Sequence, residues 1–295
     1  MKLLCILFTL AFAGIATAQI EVGVEFKRRT FLRGEPIEAK VSVRNLSGHD
    51  ITLRDVPPHQ WFGFEIIRGT DTPVPPNDPN YQNEQLTILS GESVTRNVDV
   101  LRLFPVNEYG TYKVRAAIYF NETKKYYASD TIPIEVSDGR KVWTQTVGVP
   151  NGKESAGELR QFQLLTFQQP KETQVYCRVT DENTGTILAT YPLGRILGGA
   201  KPMIEFSEDN TLYAFHMTAP SVYALSKIGV NGEWMGQSLW NAPRGRATVR
   251  RKPDNTMVVV GATRDRSKDA VAAGGPKLPV PKLSDGPPVA IPVKR

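Results

Sequence analysis

The chain has 295 residues and a formal net charge of +6, from 36 Lys and Arg against 30 Asp and Glu. Hydrophobic residues make up 40% and aromatic residues 9%, enough apolar material for a packed core, which excludes a globally disordered chain. With only 2 cysteines, a disulfide-stapled scaffold and a cysteine-rich zinc site are excluded as well.

Residues 1–18 have the layout of a secretory leader. Lys2 is a short positive region, Leu3 to Phe12 an apolar stretch, and Ala16-Thr17-Ala18 a small-residue cleavage site. The apolar stretch is shorter than the roughly 20 residues a membrane span needs. Cleavage after Ala18 is therefore expected, giving a secreted or periplasmic protein with no membrane span in the mature chain. Cys5 leaves with the leader, so Cys177 is the single mature cysteine. It shares a strand face with Val175 and Val179, which predicts a buried core thiol. Pairing between chains and a nucleophilic role are the alternatives.

From Ile20 to about Asp138 the chain alternates apolar and polar residues between turn signals. Ile37, Ala39, Val41 and Val43 fall on one face, with Glu38, Lys40 and Ser42 on the other. Phe62–Ile67, Leu86–Leu89, Val94–Leu101, Thr111–Phe120 and Tyr126–Val136 continue the pattern, which predicts a β-sandwich over residues 19–138. The run Leu32-Arg33-Gly34-Glu35-Pro36-Ile37 and the later Glu108-Tyr109-Gly110-Thr111-Tyr112-Lys113-Val114 resemble immunoglobulin-like domains of exported bacterial proteins. The resemblance implies that Tyr109 or Tyr112 is a tyrosine-corner residue, its hydroxyl bonding back to main chain. The inter-sheet cysteine pair of antibody domains is missing, and the likeness implies a fold without a function. Between strands, Thr70 to Gln82 holds four prolines in 13 residues and reads as a long exposed loop.

Residues 139–262 contain an internal repeat. Val175-Tyr176 can be laid on Val222-Tyr223, an offset of 47 residues, and Asp209-Asn210-Thr211 on Asp254-Asn255-Thr256, an offset of 45. Thr184-Gly185 and Asn231-Gly232 mark matching turns, and Leu159 to Phe167 begins a partial third unit. A period near 45 with about four strands per unit resembles β-propeller blades. Too few units are present to close a propeller, so a repeated β-meander is expected, either as a second sandwich or as a partial propeller-like sheet. Residues 263–295, with six prolines, are expected to form an extended or disordered tail.

No catalytic, metal or cofactor motif stands out. His49, His59 and His216 lie far apart, and the Ser155 region, Gly152-Lys153-Glu154-Ser155-Ala156-Gly157, misses the spacing of a nucleophile elbow. Asp181-Glu182-Asn183-Thr184-Gly185 alternates oxygen side chains as calcium loops do, but hairpin formation accounts for it better. Asn45-Leu46-Ser47 and Asn121-Glu122-Thr123 are glycosylation sequons, relevant only in a eukaryotic secretory route. The densest chemistry is Arg244, Arg246, Arg250, Arg251 and Lys252, five cations in nine residues, close to Trp234 and Trp240. On a strand, Arg246, Arg250 and Lys252 share a face while Ala247 and Val249 point away. Such a stripe is either a polyanion-binding surface or a solvated face whose charges block edge-to-edge pairing.

The prediction is thus an all-β exported protein, non-enzymatic, that binds another protein or an anionic glycan or envelope component; nucleic acid is not the expected partner. A hydrolase using scattered carboxylates and a proteinase inhibitor using the loop 70–82 are the alternatives. Charge is unevenly spread: residues 19–138 carry 14 basic and 17 acidic side chains, residues 139–262 carry 14 and 10, and residues 263–295 carry 7 and 3. Any anionic partner is therefore expected at the C-terminal half.

Overall fold

The computed structural model describes residues 19–198 and 201–266 and the pair 289–290; the leader and most of the expected tail lie outside these residues. The protein is all-β, and among the described residues no helix is long and apolar enough to cross a membrane. The first region holds β1 (Ile20–Phe26), β2 (Thr30–Leu32), β3 (Glu38–Asn45), β4 (Ile51–Leu53), β5 (Phe62–Arg68) and β6 (Thr72–Pro73). It continues through β7 (Leu86–Ile88), β8 (Ser93–Asp99), α1 (Val100–Leu103), β9 (Gly110–Phe120), β10 (Lys125–Ala128) and β11 (Ile132–Ser137). Alternation does what it predicts: β3 buries Ala39, Val41 and Val43 and turns Lys40 and Arg44 to solvent.

Two sheets share the core of this region. One runs β1-β3-β8; the other runs β2-β11-β9-β5-β6, with β10 beside β9. Val24, Val41 and Val94 from the first meet Phe64, Val114, Ile118 and Ile134 from the second. Two expected strands end early for local reasons. The Val94 run stops at Asp99, whose carboxylate accepts from Ile37 N (3.0 Å) and Leu101 N (3.1 Å) and so caps the single turn of α1. The Tyr126 run breaks after β10 because the Ser129 hydroxyl takes the Ala116 N–H at 3.0 Å, replacing a ladder bond. Of the two candidate tyrosines, Tyr112 is buried and donates its hydroxyl to Glu108 O at 2.8 Å. Tyr109 is exposed and donates instead to Asp138 at 2.7 Å.

The second region is a series of small antiparallel sheets packed face to face, a propeller-like arrangement. The first sheet is a meander of β12 (Arg140–Gly148), β13 (Leu159–Gln168), β14 (Thr173–Asp181) and β15 (Ile187–Ile196). The next is β16 (Met203–Phe206), β17 (Leu212–Ala219), β18 (Val222–Ile228) and β19 (Trp234–Asn241). A two-stranded hairpin follows, β20 (Thr248–Arg251) with β21 (Met257–Val260). Phe162, Leu164, Val175 and Val179 on one sheet pack against Leu212, Ala214 and Ile228 on the next. The opposite face of that second sheet, through Phe215, Tyr223 and Leu225, packs against Ala247 and Val249 of the hairpin segment.

The repeat is visible as identical turns. Asn210 (φ 55°) and Asn255 (φ 63°) both sit in the left-handed region that Asn tolerates. Ser207 N donates to Thr211 O at 3.1 Å, and Lys252 N donates to Thr256 O at 2.9 Å. One part of the expected register differs. Tyr176 faces the first region, packed with Leu32 and Leu165, whereas Tyr223 faces the hairpin. The pairings next to these tyrosines are irregular in both sheets, with register shifts at Val175/Tyr176 between β14 and β15 and at Met217/Ala219 between β17 and β18. From the expected tail, β22 (Thr263–Arg264) pairs with β19, and β23 (Val289–Ala290) pairs with Thr95 and Val94 of β8.

The loop Arg33-Gly34-Glu35 joins the two regions. Gly34 (φ 76°) lies so close to β15 that a Cβ there would stand 2.5 Å from Ile187 Cγ2. Arg178 reaches across to Arg33 O at 2.9 Å and pairs with Asp138 at 3.0 Å, while Thr190 Oγ1 donates to the same Arg33 carbonyl at 3.0 Å. Beside them Arg28 pairs with the buried Glu35 and donates to the Tyr176 hydroxyl at 2.9 Å. Burial pushes the Glu35 carboxyl up against the opposing pull of Arg28.

Candidate functional site

Among the described residues the last sheet is only the β20–β21 hairpin, so it covers the second sheet incompletely. An open groove of about 560 Å³ remains between β17–β19 and β21. Tyr213, Leu225, Trp240 and Met257 supply its apolar surface, and Lys227 and Arg264 its charge. Lys227 Nζ stands 5.3 Å over the Tyr213 ring, a cation–π arrangement at the mouth. Trp240 is held in place by its indole N–H, which donates to Ser238 Oγ at 2.9 Å.

The five cations singled out in sequence all belong to this end. Arg244 and Arg246 lie on the link into the hairpin, Arg250 and Arg251 on β20, and Lys252 just beyond it. All five are exposed, while Ala247 and Val249 between them are buried. Arg251 stays exposed although it is in phase with Val249, because it ends the strand. Among the described residues none of the five forms an ion pair. Lys252 lies near Asp254, whose carboxyl is held below its usual range chiefly by hydrogen bonds from the Thr256 hydroxyl and N–H. Sequence reading found the cations and Trp240 but not Tyr213, Lys227, Met257 or Arg264. No local signal pointed to these four, because they come from four separate strands.

Other residues of chemical interest have structural roles. Cys177 is fully buried between the two sheets, and burial pushes its thiol far up, which disfavours the thiolate needed for exchange or attack. Labelling by a thiol reagent is therefore expected to be on the order of a thousandfold slower in the native chain than in urea. Native-state labelling at the unfolded rate would contradict this placement. Asp181 accepts from Thr184 N (2.8 Å) and Thr184 Oγ1 (3.0 Å) and pairs with Arg160, so it builds the turn. Asn45 is buried and donates to His49 O and Ile88 O, which leaves its amide unavailable for glycosylation in the folded chain. Ser155 lies in an exposed turn between β12 and β13. The loop 70–82 is strapped to its sheet: Val74 N donates to Ile66 O (2.9 Å), Asn77 N to Leu103 O (2.7 Å) and the Tyr81 hydroxyl to Phe62 O (2.8 Å).

No family model matches the chain, and no curated protein matches it. Among solved structures, the sporulation control protein Spo0M from Bacillus subtilis is similar over 58% of this chain and 83% of its own, at 10% identity and a TM-score of 0.27. So slight a likeness carries no functional argument. The geometry of the chain itself carries the reading.

Proposed function

We propose that the protein is exported and non-enzymatic, and that it binds an anionic partner at the C-terminal end of its stacked sheets. The observation that carries this is the set of five exposed cations on one hairpin segment, without an ion pair among the described residues, beside an open groove with aromatic walls. Cations held so close together raise the local potential and attract a polyanion without a single deep pocket. Export rests on the leader features of residues 1–18 and places the protein in the periplasm or outside the cell. An immunoglobulin-like first domain is supported by two sheets around one core and by the Tyr112–Glu108 bond. The strapped loop 70–82 favours binding over proteinase inhibition, since an inhibitory loop must project into a cleft.

Heparin serves as a general polyanion probe. The triple variant R246Q/R250Q/K252Q is expected to bind it about a hundredfold more weakly at physiological salt, and to lower the slope of log affinity against log salt by about 3. Its melting temperature should stay that of the parent, because all three side chains are exposed. Unchanged retention on heparin would overturn the assignment.

A further inference from the structure

The hairpin that carries the cations also carries an unsatisfied strand. β21 pairs with β20 along one edge, and among the described residues no strand pairs with its other edge. Its sequence is Met257-Val258-Val259-Val260, entirely apolar, and Val260 is 50% exposed. A row of free N–H and C=O groups on an apolar strand is a template for another strand. The groove of about 560 Å³ lies beside this strand, with Met257 and Val259 in its wall. One face of an added strand would therefore meet Tyr213, Leu225 and Trp240.

Charge selects what kind of strand fits. In the hairpin register Arg250 stands opposite Val258 and Arg251 opposite Met257. A strand added to β21 would run about 10 Å from β20, two strand spacings away. An arginine and a glutamate side chain together span that distance. A second copy of the hairpin would bring the same cations towards one another, and charged side chains of this kind guard edges against self-pairing. A glycan would satisfy the cations but not the periodic main-chain groups.

We propose that the edge of β21 left unpaired among the described residues receives an extended polypeptide segment alternating apolar and acidic residues, apolar side chains in the groove and acidic ones on the opposite face towards Arg250. This rests on the reading of the basic hairpin as an anion-binding site and names the partner of that site. The test uses the full chain and four acetylated octapeptide probes, each at a concentration where light scattering shows it monomeric. They are alternating valine–glutamate, the same with two valines replaced by proline, alternating valine–lysine, and octaglutamate.

Titration calorimetry is expected to show binding of the valine–glutamate peptide, at least tenfold weaker binding of the proline form and of octaglutamate, and none of the lysine form. R246Q/R250Q/K252Q should weaken the valine–glutamate peptide at least tenfold. Equal binding of octaglutamate or of the proline form would overturn strand addition while leaving polyanion binding intact. Retention on heparin without any binding of the valine–glutamate peptide would also overturn it, whether a segment of the chain or nothing covers the edge. Loss of both would overturn the functional reading as well.

Discussion

Replacing Arg178 by methionine is expected to lower the unfolding free energy by about 2 kcal/mol, the usual scale for losing buried charge-assisted hydrogen bonds and leaving their acceptors without a donor. The Arg178 side chain is 6% exposed and touches both regions of the protein. Its guanidinium donates to Arg33 O at 2.9 Å and to Thr190 Oγ1 at 3.2 Å and pairs with Asp138 at 3.0 Å. Methionine keeps most of the stem packing and removes the charge and the donors, so the loss reports the polar tie. Arg178→Lys should fall between the two, because it keeps the charge but not the fork. Urea unfolding followed by tryptophan fluorescence suits the test, with Trp61 in the first region and Trp143, Trp234 and Trp240 in the second. The tie should also weaken in acid. Burial alone would raise the Asp138 carboxyl, but hydrogen bonds from Arg178 and Tyr109 outweigh it and hold the group below its ordinary 3.8. A depressed carboxyl stabilises above its unfolded value and loses that contribution as pH falls through the folded one. A loss under about 0.5 kcal/mol in Arg178→Met, within the range of an ordinary surface change, would show that Arg178 does not tie the regions together.

The second large effect belongs to His216. It is 1% exposed between the two meander sheets, its ring nitrogens make no hydrogen bond of ordinary geometry among the described residues, and burial lowers it to about 4 against a weaker upward pull from the Arg195 main chain. The unfolded chain takes up this proton near 6.5 and the folded chain only near 4. Stability from the neutral ring is therefore complete above pH 6.5 and is lost as pH falls through about 4, a loss of about 3 kcal/mol. Glu35 and Asp99, both raised by burial, act in the opposite sense, so the histidine contribution must be read as a difference. Stability measured by urea unfolding from pH 4 to 7 should show the parent losing about one proton's worth of slope relative to His216→Leu. Near neutral pH the leucine variant should stay close to the parent, since the buried ring nitrogens it removes have at most a poorly aligned contact with the Arg195 main chain. Parallel pH profiles for the two proteins would sink the assignment.

Much of this architecture is legible from residue order. The alternation of Ala39, Val41 and Val43 predicted a strand with one buried face, and the strand has it. The Asp-Asn-Thr repeats predicted an apolar strand after each, and β17 and β21 begin at Leu212 and Met257, with Asn210 and Asn255 in the same left-handed conformation. Cys177 between valines predicted a core thiol. Less legible were the places where one local bond overrides a pattern. Asp99 caps a turn inside an apolar run, and Ser129 interrupts a ladder. Each depends on a single side chain, which a periodic pattern averages away.

The candidate site divides in the same way. Arg244, Arg246, Arg250, Arg251 and Lys252 cluster along the chain, so their spacing alone revealed a basic segment, and alternation alone turned Ala247 and Val249 inward. The motif Arg33-Gly34-Glu35 carried a fold resemblance in sequence, yet its contacts with Arg178 and Thr190 make it the joint between regions. Short-range order therefore determined the strands, the turns, the core faces and the uneven distribution of charge, because each follows from residues within one or two turns of chain. Only the tertiary structure decided that Tyr213, Lys227, Trp240, Met257 and Arg264 surround one groove, and that one edge of β21 beside it is unpaired among the described residues. Those facts depend on which strands pair and which sheet faces pack across many intervening residues, a global balance of burial that no local pattern encodes.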